Sequence, residues 1–139
     1  MGLENFKILL VDDEPDILEI ISYTLKSDGY HVYTAENGAE AIELAKKIKP
    51  HLVILDVMMP EMDGIEACEV IRNDSEIGNT LIAFLSARGE DYSQVAGFNA
   101  GADDYITKPI KPKLLKSKIK SLLRRISQPN VEVIEIGSL

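Results

Sequence analysis

The chain has 139 residues, 45% of them hydrophobic, a formal net charge of −8 and one cysteine, Cys68. That is one domain's length, enough to bury a core without staples, and a lone cysteine excludes an intrachain disulfide or a cysteine-based zinc site. The acidic balance argues against nucleic-acid binding by this chain alone, and no apolar run approaches a membrane span.

In chain order, "KILLVDD" (7–13) is an apolar run ending in acids. What precedes it has neither the charged region nor the cleavage site of a signal peptide, and Met1-Gly2 alone is a weak myristoylation signal, so the chain reads as cytoplasmic. In "EPDILEIISYTLKSDG" (14–29), Ile17, Ile20, Ile21 and Leu25 recur at helical spacing; Pro15 suits a first turn and Gly29 a stop. "YHVYTA" (30–35) is β-branched and aromatic, a strand. Asn37 can cap a helix over 38–49, with Ala41, Ile42, Leu44, Ala45 and Ile48 on one face. "HLVILD" (51–56) is the next buried strand, and 63–74 a helix with Ile65, Cys68 and Ile71 inward. "TLIAFLSA" (80–87) is a strand, 91–101 a short helix closed by Gly101, and "DDYIT" (103–107) a fifth strand. The last helix, 111–126, turns Leu114, Leu115, Ile119, Leu122 and Leu123 inward. From Lys108 to Arg125 all eight charged residues are basic, which leaves the earlier chain correspondingly more acidic. "SQPN" (127–130) has a linker's composition, and "VEVIEIGSL" (131–139) reads as a strand with no partner in the preceding plan.

The plan is (βα)5. Continuous apolar strands alternating with helices imply a doubly wound, five-stranded parallel sheet with helices on both faces. In the common order 2-1-3-4-5, ligands bind beyond the carboxyl ends of the strands, at the switch point between strands one and three. The strand ends there are polar: Asp12-Asp13, Asp56, Ser86-Ala87 and Thr107-Lys108. Like charges about 5 Å apart cost roughly 3 kcal/mol per pair at an effective dielectric of about 20. Raised pKa values or a bound cation must relieve that cost. Oxygen ligands with open positions suit Mg²⁺, and Lys108 brings a positive charge from the far side. Singly, each residue has a simpler reading: a helix cap for Asp12 or Asp13, a turn acid for Asp56, a small polar strand end for Ser86, a solvated lysine for Lys108. Their convergence on one crevice favours chemistry. Met58, Met59, Ile110 and Cys68 read as packing residues, and His31 and His51 as structural.

These residues resemble a known family. "LLVDDE" (9–14), "LVILDVMMPEMDG" (52–64), "FLSA" (84–87), "GADDYITKP" (101–109) and the basic helix ending "LLRR" (122–125) resemble a two-component response-regulator receiver domain, CheY-like in fold, over roughly residues 6 to 126. The resemblance implies that Asp56 takes a phosphoryl group from the phosphohistidine of a sensor histidine kinase. It implies Mg²⁺ held by Asp13, Asp56 and the backbone carbonyl of Met58, with Asp12 acting through a metal-bound water. Ser86 and Lys108 would contact the phosphoryl group, Tyr105 would be the aromatic switch that turns inward on activation, and Lys108–Pro109 would be a cis peptide. Such a chain is a phosphoacceptor that assists its own phosphotransfer and slow autodephosphorylation, not an enzyme.

Residues 1–126 are then the receiver, and 127–139 a linker with the candidate start of an output domain. "GADDYITKP" and "LLRR" resemble the OmpR/PhoB type, in which a winged-helix domain follows, so DNA would be reached only through a domain outside this chain. A stand-alone receiver, or one with a different output, is the alternative. The type's homodimer through the fourth helix, fifth strand and fifth helix is weakened here: Asn99 and Leu114 stand where acids normally make intersubunit pairs, while Asp103, Asp104, Lys118 and Arg125 remain available. A doubly wound Mg²⁺ phosphohydrolase would carry its nucleophile on strand one, with a second Asp two residues on; a flavodoxin-like cofactor binder would need a Ser/Thr/Gly-rich phosphate loop where "VDDEPD" stands.

Overall fold

Alternation within the apolar runs decides what each strand faces. The computed structural model of the protein describes residues 5–87 and 99–127. Its strands are β1 (Lys7–Val11), β2 (His31–Ala35), β3 (Leu52–Asp56), β4 (Leu81–Ala87) and β5 (Asp104–Lys108). They form one parallel sheet in the order β2-β1-β3-β4-β5. Ile8 and Leu10, Leu52 and Ile54, and Ala83 and Leu85 enter one core, where Ile21 and Leu25 meet Leu115, Ile119, Leu122 and Leu123. Leu9 and Val11, Val53 and Leu55, and Ile82 and Phe84 enter the other, against Ala41, Ala45, Ala67, Cys68 and Ile71. Thus α1 (Pro15–Ser27) and the C-terminal helix (Pro112–Ser127) cover one face, and α2 (Gly38–Ile48) and α3 (Gly64–Arg72) the other. The expected architecture and strand order are those observed.

Local chemistry sets the helix starts. Asn37 accepts a hydrogen bond from the Glu40 amide and Asp63 one from the Glu66 amide, both at 2.8 Å, caps worth about 1 kcal/mol each. Pro15 opens α1. Gly64 opens α3 for a steric reason: a Cβ there would lie 2.1 Å from the Asp56 carbonyl oxygen.

Several expectations need correction. Ile20 and Leu114, expected on inner faces, are 52% and 51% exposed. Each precedes a core residue (Ile21, Leu115) by one position, about 100° around the helix. Leu25 and Leu123 extend the inner faces in the opposite direction, which leaves Ile20 and Leu114 outside. Met58 is not a packing residue either, for its side chain is exposed, whereas Met59 and Cys68 are buried and Ile110 packs against a core. The fifth strand starts at Asp104 rather than Asp103. The Asp103 amide bonds the Ile82 carbonyl, and its carboxylate takes the Ile82 amide, so Asp103 closes the strand start from outside. Most of the helix expected over 91–101 lies outside the described residues, although Asn99 and Ala100 are helical and Gly101 has a φ of 107°. The tail 128–139 also lies outside them.

A clamp that the sequence did not announce ties the other end of the sheet together. The Arg72 guanidinium donates to the carbonyls of Gly101, Gly78 and Thr80 and pairs with Asp103 at 2.8 Å. Arg125 also reaches Asp103, and Lys118 reaches Asp104. The charges expected to serve a dimer therefore make pairs within the chain.

Candidate functional site

The register builds the site. Val11 is opposite Leu55 in the β1–β3 pairing, so the next residues, Asp12 and Asp56, emerge side by side. Asp56 is opposite Leu85, which puts Ser86 one step further along β4, and Ala87 is opposite Lys108. Tyrosines and cysteine aside, the buried polar side chains among the described residues are Asp12, Asp56 and Ser86, and all stand at this edge.

Carboxylate oxygens of Asp12, Asp13 and Asp56 lie within 4.8 Å of one another. Asp12 and Asp56 are buried and Asp13 is exposed, so the cluster opens to solvent on the Asp13 side. Asp12 Oδ1 accepts from the Glu14 amide (2.9 Å), while Oδ2 faces the Lys108 ammonium. Asp56 Oδ1 accepts from the Met58 amide at 3.3 Å. Lys108 Nζ stands 3.2 Å from Asp12 Oδ2, 3.4 Å from Glu14 Oε1 and 3.6 Å from Asp56 Oδ1. The Lys108–Pro109 peptide is cis.

The electrostatics follow from burial. Removal from water pushes the Asp56 carboxyl up to about 7; the charge on Asp12 adds to the rise and the Lys108 ammonium opposes it. Burial also raises Asp12, with the Glu14 amide and Lys108 offsetting part of the rise. Burial works against the Lys108 ammonium, yet Asp56, Asp12 and Glu14 outweigh it and hold its pKa above the ordinary lysine value. Two crowded, buried acids with raised pKa values beside a third, exposed carboxylate are a donor set that a divalent cation would relieve. The cluster thus fits a hard, oxygen-loving ion.

The remaining expected residues lie alongside. Ser86 Oγ is buried with no hydrogen-bond partner among the described residues. Tyr105 is buried with its ring 5.5 Å from Phe84. Its carbonyl accepts from Lys118 Nζ at 2.6 Å. Glu14 was missed as a site residue; its only signal is that it follows Asp12-Asp13 directly. The histidines stay apart from the site: His51 accepts from the Lys7 amide and stacks edge-on against Phe6, and His31 is exposed.

The family model for the response regulator receiver domain matches residues 8–120. The chain belongs to this family. The receiver is 43% identical over 131 residues to the alkaline phosphatase synthesis transcriptional regulatory protein PhoP of Bacillus subtilis, covering 93% of this chain and 54% of PhoP. It is 36% identical over 133 residues to the DNA-binding response regulator MtrA of Mycolicibacterium smegmatis, covering 96% of this chain and 57% of MtrA. It therefore spans little more than half the length of these relatives. Among solved structures, chemotaxis protein CheY4 of Vibrio cholerae superposes with a TM-score of 0.81 at 34% identity, over 85% of this chain and 98% of that one. A two-component response regulator from Clostridium difficile gives 0.81 at 31% identity, over 87% and 98%.

Proposed function

We propose that this receiver accepts a phosphoryl group on Asp56 from the phosphohistidine of a sensor histidine kinase and uses the modification to control transcription. The observation that carries the reading is the burial of Asp56 beside Asp12 and Asp13 with the Lys108 ammonium 3.6 Å away. Burial of a carboxyl in a cleft, against the cost of desolvation, supports a reactive role for it.

In the transfer, one Asp56 oxygen attacks phosphorus as the P–N bond to the kinase histidine breaks, and the freed imidazole keeps the electron pair. Phosphoryl transfer demands positioning and charge compensation more than covalent help. Asp12, Asp13, Asp56 and the Met58 carbonyl would hold Mg²⁺, which supplies charge neutralisation for the transferring oxygens. Lys108 remains protonated and pairs with the phosphoryl oxygens. The Ser86 hydroxyl, which has no partner among the described residues, donates to one of them. Movement of Ser86 toward the phosphoryl group would stabilise Tyr105 inward and reshape the surface around β5 and the C-terminal helix. This is the work of a signalling domain rather than an enzyme. Residues 1–126 form the receiver, and 127–139 lead toward an output domain of the winged-helix type, through which DNA would be bound. The lengths and names of PhoP and MtrA support that output. Among the described residues no helix is long and apolar enough to cross a membrane.

Mass spectrometry after incubation with acetyl phosphate and Mg²⁺ tests the reading. The parent chain should gain one phosphoryl mass and Asp56→Asn none. An unmodified parent, or equal modification of the variant, overturns the assignment.

A further inference from the structure

The Lys108 ammonium is shared among three carboxylates, and Asp56 is the furthest of them. Two of the three, Asp12 and Asp56, are buried and belong to the proposed metal cluster. The third, Glu14, has a side chain 62% exposed and lies outside that cluster. Glu14 also occupies the N-cap of α1 and makes no side-chain cap there. Its carboxylate reaches across the site to Lys108 instead, while its amide is held by Asp12.

We propose that Glu14 is a positioning residue that restrains Lys108 at the rim of the site and sets the threshold for phosphodonor binding. The inference rests on Asp56 as phosphoacceptor. A cation on the cluster would compensate Asp12 and weaken its hold on Lys108, whereas Glu14, outside the cluster, would keep its contact. Lys108 must surrender that contact to meet an incoming phosphoryl group. Glu14 also presents a negative charge at the entrance to an anionic donor.

The test is steady-state phosphorylation by acetyl phosphate at saturating Mg²⁺, on the parent, Glu14→Gln and Asp16→Asn. Asp16 is a neighbouring exposed acid in the first turn of α1 and controls for general charge. Glu14→Gln should lower KM about two- to five-fold, the range open to a half-exposed ion pair, with the turnover constant little changed. Asp16→Asn should leave both constants near the parent's. A residue that served only the fold would produce no such split. An unchanged or raised KM in Glu14→Gln, or an equal fall in Asp16→Asn, overturns the inference while leaving Asp56 as phosphoacceptor. No adduct on the parent overturns both.

Discussion

At the scale of single residues, the chemistry is concentrated in one buried acid. Asp56 has a carboxyl pKa near 7 in the fold, chiefly through burial, against an ordinary 3.8. The sign of the consequence follows by linkage. Between those values the folded chain holds a proton that the unfolded chain has released, so this contribution to stability is full below about pH 4 and is lost as pH rises through about 7. Asp56→Asn removes the titration. It should make the protein more stable at pH 8 by about 1–3 kcal/mol, less than the full shift implies because the pocket can relax. At pH 5, about one unit above the unfolded value, the difference should shrink to roughly a third of that at pH 8. Urea unfolding at both pH values measures this, and an Asp56→Asn variant less stable than the parent at pH 8 would count against the burial argument. Asp12 and Asp56 were legible as site residues because consecutive apolar residues in a strand leave few reasons to end on an acid. Glu14 was not, because an exposed acid beside a helix start is ordinary until its partner, 94 residues along the chain, is known.

At the scale of elements, helix positions were read well and helix faces less well. Asn37 announced its cap, because capping is chemistry between residues three apart. Ile20 and Leu114 misled, because periodicity admits neighbours on either flank of a stripe and only the covering element selects among them. Ile20→Gln and Leu114→Gln should each change stability by no more than about 0.5 kcal/mol. Ile21→Ala and Ile119→Ala, both fully buried, should each cost about 2–5 kcal/mol. Thermal or chemical unfolding separates the two pairs, and a large loss in either Gln variant would place its side chain in a contact that the fold does not contain.

At the scale of the whole molecule, the sheet brings three carboxylates from two strand ends together, and a bound cation should repay their repulsion. Mg²⁺ at ten times its dissociation constant should stabilise the protein by about 1.4 kcal/mol. Asp13→Asn should lose most of that gain, which thermal unfolding with Mg²⁺ and with chelator can measure; equal gains in parent and variant would refute the metal assignment. The sequence by itself determined the class of fold, the strand order expected of it, the helix caps and the identity of Asp12, Asp13, Asp56, Ser86 and Lys108 as strand-end groups, because alternation, capping and strand termination are local properties of the chain. Only the tertiary structure decided which flank of α1 and of the C-terminal helix is buried, that Arg72 clamps β4 and β5 through Asp103, and that Glu14 competes for Lys108. Those outcomes depend on through-space distances between remote segments, which the packing of helices on the sheet sets and no local pattern encodes.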